Sequence, residues 1–192
     1  MKTGADPGWL FRHARTLVSC LLTAACLVIP AAVTATQPVV FEISYPRQRL
    51  PAPDFSLPDL ENRSFSLADF RGKLVLIHFW ATFCAPCLEE MPDLQALWQR
   101  YREQGLVVLG VAADRGNMRG VRDFARKSGV SFPVLLDPEG RVRNRYEVQA
   151  LPMTYLVGHD GKLSGRVMGI RDWNGPAGRK AVEAELAKQP AE

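Results

Sequence analysis

Two cysteines, Cys84 and Cys87, stand three residues apart in the segment Phe79-Trp80-Ala81-Thr82-Phe83-Cys84-Ala85-Pro86-Cys87. Thiols at that spacing can hold a soft metal, or they can cycle between dithiol and disulfide. Half of a zinc site has the same spacing. Its other half is missing, because after residue 35 the only other cysteine or histidine residues are His78 and His159. Two thiolates also suit Cu(I), yet no methionine-rich or histidine-rich tract accompanies them. The redox reading rests on position. An apolar run ends just before the pair and a helical pattern begins at it, so Cys84 falls where a strand gives way to a helix. Unpaired N–H groups and the helix dipole favour an anion there, which raises the thiolate fraction of Cys84, and the thiolate is the attacking species. Pro86 is tolerated because first-turn N–H groups have no helical partner. Cys87, one turn in, is shielded and suited to resolve a mixed disulfide.

The flanking patterns supply the frame. Leu74–Trp80 is nearly continuous and apolar, as a central strand covered on both faces should be. A helix over Pro86–Gln104 follows, with Leu94, Leu97, Trp98 and Tyr101 at spacings of three and four, ended by Gly105. Leu106–Ala112 is a second apolar strand. Asn117 can cap a helix through Ser128 that stops at Gly129. Pro133–Leu136 is a short strand. Thr154–Val157 and Leu163–Met168 flank the turn Gly158-His159-Asp160-Gly161. Pro176–Lys188 forms a last helix, with proline at its start. Before all this, residues 55–57 and 64–66 flank Asp59-Leu60-Glu61-Asn62 as a hairpin. Alternating β and α predicts a parallel core, and the closing hairpin makes the sheet mixed. An α/β domain over 53–192 thus opens with an N-terminal β-hairpin extension.

Residues 1–35 look like an address. Arg12 and Arg15 precede an uncharged run from Leu17 to Ala35 that ends in small residues. This fits a signal peptide cleaved after Ala35, or an N-terminal anchor if left uncut. Cys20 and Cys26 sit inside the run as small apolar residues. Residues 36–52 form a linker carrying Pro38, Pro46 and Pro51. The formal charge is +4; residues 1–35 hold three cations against one anion, +2, which leaves +2 for the rest. That is too little, and too dispersed, to point to nucleic acid or to an anionic membrane surface.

Residues 51–170 resemble the thioredoxin superfamily, specifically its exported TlpA/ResA-like branch. The resemblance is carried by Ala52-Pro53-Asp54-Phe55, by Phe70-Arg71-Gly72-Lys73, by the Phe79–Cys87 block, by Glu89-Glu90-Met91-Pro92 and by Ala150-Leu151-Pro152-Met153-Thr154-Tyr155. It implies a thioredoxin-like fold, a central mixed sheet with helices on both faces. It implies that Pro152 is a cis-proline facing the active-site disulfide, with the backbone of Leu151 free to pair with an extended substrate. It implies that Glu90 handles a proton near the buried thiol. On spacing alone, Glu90 is equally a first-turn glutamate that favours the dipole, and Glu89 a solvated one. Two departures stand out. Phe83 replaces the tryptophan common before the first cysteine. His78 occupies the position of thioredoxin's buried aspartate; it is either a satisfied core residue or a proton acceptor for Cys87. Trp80 and Pro86 complete the expected site as supporting residues.

The resemblance further implies an exported thiol:disulfide oxidoreductase working as a reductase, of the apocytochrome c or copper-centre maturation type, in the periplasm or its equivalent. Protein thiols and disulfides are the expected substrates, and a membrane electron donor re-reduces the pair. The Cys84–Cys87 couple is the expected redox group, with no other cofactor and no metal. A thiol peroxidase of the same fold needs threonine three before the reactive cysteine and proline before that, where Ala81 and Ile77 stand. A long helical insertion before the cis-proline, as in a DsbA-like oxidase, has no room in the 64 residues between Cys87 and Pro152.

Overall fold

The computed structural model describes residues 41–188. The expected signal or anchor segment, Cys20, Cys26 and the first residues of the linker lie outside the described residues. The first strands among the described residues form a two-stranded antiparallel hairpin, β1 (Ser56–Pro58) and β2 (Ser64–Ser66). A five-stranded sheet follows: β3 (Leu74–Trp80), β4 (Leu106–Ala112), β5 (Val134–Leu136), β6 (Met153–Val157) and β7 (Leu163–Met168), in the order β5-β4-β3-β6-β7. β4 runs parallel to β3 and β5 parallel to β4, while β6 and β7 are antiparallel to their neighbours. The mixed sheet expected from the sequence is the one observed.

β3 is buried at every residue. Side chains still alternate: Leu74, Leu76 and Trp80 enter one core layer, and Val75, Ile77 and Phe79 the other. Each such side chain taken fully from water contributes roughly 1.5–3 kcal/mol. The helices are α1 (Ala85–Tyr101), α2 (Met118–Ser128), α3 (Arg141–Arg145) and α4 (Pro176–Leu186). The two parallel crossovers step the same way across the sheet, so right-handedness puts α1 and α2 on one face. Met91, Leu94 and Leu97 of α1, Val121 and Ala125 of α2 and Val182 of α4 all join that face's core. The opposite face is covered by Phe55, Leu67, Val142 of α3 and Tyr146. Helices therefore lie on both faces.

Three local features differ from expectation. α1 stops at Tyr101 and tightens into a 3-10 turn over Arg102–Gln104 before left-handed Gly105 (φ 98°). α3 was not expected, since a single turn of Arg-Val-Arg-Asn-Arg shows no apolar period. Residues 44–52, expected as part of a linker, lie along the outer edge of β7. Ser44 and Arg166 exchange both backbone hydrogen bonds (2.9 and 3.0 Å), and Leu163 N–H donates to the Leu50 carbonyl (2.9 Å). A sheet edge offers N–H and C=O groups to any extended chain, and proline does not prevent such pairing at isolated bridges.

Candidate active site

β3 ends at Trp80 and α1 begins at Ala85, so four residues carry the chain from sheet to helix. Asp114, buried just beyond β4, holds that crossing. Both its carboxylate oxygens accept the Thr82 N–H (3.0 and 3.2 Å), and the Thr82 hydroxyl donates to it as well. Asn117, which caps α2 through the Gly120 N–H (3.1 Å), donates to Thr82 Oγ1 (3.4 Å). Loop and crossover helix are thus tied through one threonine.

Cys84 is the N-cap residue of α1, and its carbonyl accepts from the N–H groups of Cys87 (3.0 Å) and Leu88 (3.2 Å). The two cysteines form a disulfide, with Cα atoms 5.3 Å apart. They differ in access: Cys84 is 8% exposed and Cys87 is 0%. Attack from outside can therefore reach only the Cys84 sulfur. Pro86 sits exposed in the first turn and Glu89 is exposed one turn later.

Glu90, one turn after Cys87, is 1% exposed. Its Oε2 accepts the Arg171 backbone N–H (2.9 Å) and its Oε1 accepts the Trp173 indole N–H (3.2 Å). Burial pushes its pKa up to about 7, against the pull of those two donors and the Arg171 charge, with the Asp93 charge adding to the rise. Beside it on β3, fully buried His78 places Nδ1 3.0 Å from Thr154 Oγ1 and 3.4 Å from Glu90 Oε1. Burial drives the imidazole down to about 3, so His78 is neutral at physiological pH and its contact with Glu90 is no ion pair. Nε2 is buried without a partner among the described residues. A proton on Nδ1 is the tautomer that leaves no donor orphaned, because it lies between the threonine and the carboxyl.

The Leu151–Pro152 bond is cis, and the Pro152 carbonyl accepts from Gly169 N–H (2.9 Å). Leu151 and Cys84 line one groove. The pairing of β6 with β3 starts only at Met153, leaving the Leu151 backbone outside the ladder. Trp80 is a core residue away from that groove, packed on Phe124 with ring centres 5.1 Å apart. The structure therefore brings Cys84, Cys87 and Leu151-Pro152 together at one end of the sheet, sets Glu90 and His78 behind them, and keeps Trp80 as support. Sequence reasoning missed Asp114, Thr154, Arg171 and Trp173. A signal existed for Asp114, an acid directly after a parallel strand, where sites in α/β sheets form; Trp173 carried none.

A cysteine pair at the start of a helix, one sulfur reachable and one shut in, on this mixed sheet and opposite a cis-proline, defines a thiol–disulfide oxidoreductase of the thioredoxin fold. Comparison with known proteins agrees. Residues 49–166 match the model of the AhpC/TSA family. Thiol-disulfide oxidoreductase ResA of Geobacillus thermodenitrificans is 41% identical over 118 residues, 62% of this chain and 67% of the relative. The ResA of Bacillus subtilis is 35% identical over 118 residues, 62% of this chain and 65% of the relative. A thiol:disulfide interchange protein of the thioredoxin family from Chlorobium tepidum superposes with TM-score 0.64 at 27% identity, over 74% of this chain and 99% of that one. The chain belongs to the AhpC/TSA family, in its TlpA/ResA-like thioredoxin branch.

Proposed function

We propose that this oxidoreductase is a reductase of protein disulfides outside the cytoplasm, with Cys84 as the attacking thiol and Cys87 as the resolving one. The observation that carries the reading is the pairing of a reachable and a sealed sulfur, the sealed one a helical turn from a carboxyl poised near neutrality. The Cys84 thiolate attacks one sulfur of the substrate disulfide, that S–S bond breaks, and the first substrate thiolate leaves. Cys87 then gives up its proton, with Glu90 as the acceptor, and attacks the Cys84 sulfur. The second substrate thiol leaves, and the Cys84–Cys87 disulfide remains, two electrons having passed to the substrate. The Leu151 backbone supports the substrate as an extended strand. No other cofactor is invoked.

A membrane donor returns two electrons and two protons to the pair. The charge pattern of residues 1–35 supports export, by cleaved signal or retained anchor. The family resemblance favours apocytochrome c or copper-centre thiols as targets. The equilibrium potential of the Cys84–Cys87 couple tests the direction. A value at or below about −250 mV supports a reductase, and one near about −120 mV identifies an oxidant and overturns the proposal.

A further inference from the structure

α3 carries three arginines, and two are occupied. Arg141 pairs with Glu139, and Arg145 donates to the Asp54 carbonyl (2.9 Å). The Arg143 guanidinium has no hydrogen bond and no ion pair among the described residues, and its Nε is buried. The carboxylate that touches Arg143 is already used: Asp137 is buried and accepts the Arg143 backbone N–H (2.9 Å). Arg143 lines a groove of about 320 Å³ together with Phe83, Cys84, Val148, Gln149, Ala150 and Leu151. No acidic residue lines it. Phe83 is 74% exposed and the Leu151 backbone is outside the sheet ladder.

A groove with a reactive sulfur, an apolar ring, an open backbone and one unanswered cation describes what should fill it. An extended peptide answers the backbone, an apolar side chain answers Phe83, and a carboxylate answers the guanidinium, whose planar fork suits two-point contact with it. We propose that Arg143 is a specificity residue: it selects protein segments that carry Asp or Glu close to the attacked cysteine. This rests on the reading that Cys84 attacks protein disulfides. Arg143 takes no part in the electron transfer; it holds the segment while sulfur attacks sulfur.

The test uses the reduced chain and three oxidised peptides of one sequence, differing only in Glu, Gln or Lys beside the target cysteine. The second-order reduction rate is measured for each at low and high salt. The Glu peptide should react about fivefold faster than the Gln peptide, the Lys peptide should be slowest, and salt should compress the differences. In Arg143→Gln the Glu-to-Gln ratio should fall to about one, and Arg143→Lys should retain part of it. Because the ratio is taken within one preparation, it does not depend on how much of a variant is folded. A ratio that survives in Arg143→Gln overturns the proposal. So does a common fall in all three rates with the ratio intact, which would assign the cation to the Cys84 thiolate. A chain that reduces none of the peptides removes the underlying reductase reading as well.

Discussion

Glu90→Gln is the sharpest probe of the buried acid. The carboxyl rises from 4.5 to about 7 in the folded chain because burial disfavours its charge. The folded state therefore holds a proton that the unfolded state has released between those values, and stability must fall as pH rises through that window. At about 1.4 kcal/mol per factor of ten in acidity, the whole loss is about 3 kcal/mol, complete once the pH passes about 7. Glutamine has nearly the shape of the protonated acid and does not titrate; its one carbonyl oxygen can accept from only one of the Arg171 and Trp173 N–H groups, a cost that does not vary with pH. Urea melts of the oxidised protein and variant, from pH 4 to 9, should give curves that diverge by about 3 kcal/mol, the variant gaining on the parent with rising pH. The difference between the two proteins isolates Glu90 from His78 and the surface groups. In the reduced protein the variant should also show a lower Cys87 pKa by pH-dependent alkylation, since a nearby negative charge no longer opposes the thiolate. A pH-independent stability difference, with both thiol titrations unmoved, would refute the reasoning and leave Glu90 a helix-start residue.

Cys87→Ser should accumulate mixed disulfides with substrate, visible on non-reducing gels, and Cys84→Ser should accumulate none. His78→Ala should cost about 2–4 kcal/mol in a denaturant melt by opening a cavity under β3, while leaving the pH midpoint of the resolving step in place, because an imidazole that protonates only near 3 is a poor acceptor. Asp114→Ala strips the Thr82 N–H and hydroxyl of their acceptor and should cost about 1–3 kcal/mol, with slower exchange as the loop before Cys84 loosens. A reporter active only after export, joined after Glu192, should work in whole cells; activity confined to the cytoplasm would remove the address assigned to residues 1–35.

Elements with a strong local signature were legible. β3 announces itself as an apolar run, and its position before the cysteine pair is enough to place Cys84 at a helix start. α2 is framed by Asn117 and Gly129, and the cap and left-handed stop are both present. The environment of Glu90 was not legible, because its donors come from 81 and 83 residues away and only the return of the chain after β7 brings them in. Spacing could not decide between a dipole-favoured surface glutamate and a buried acid. Burial by Trp173 decides it. α3 and the edge-lying residues 44–52 escaped for a different cause: a single polar turn and a proline-containing segment have no period to detect. The 3-10 turn at Leu67–Phe70 did leave a trace, since Ser66 and Asp69 form a reciprocal cap around it.

The stretch ahead of the sheet has a consequence for association. Residues 44–52 take up the free side of β7, and Asp59, at the end of the hairpin's first strand, bridges to Leu135 on β5 at the opposite side. Among the described residues the chain thus lays its own leading segment along the β7 margin and touches the β5 margin at one bridge, before its first central strand begins. A shortened chain beginning at Pro53 would keep every residue of the thiol site, yet would uncover the β7 margin. Its fault would be strand-to-strand self-association at high concentration, with the exchange chemistry of each molecule intact.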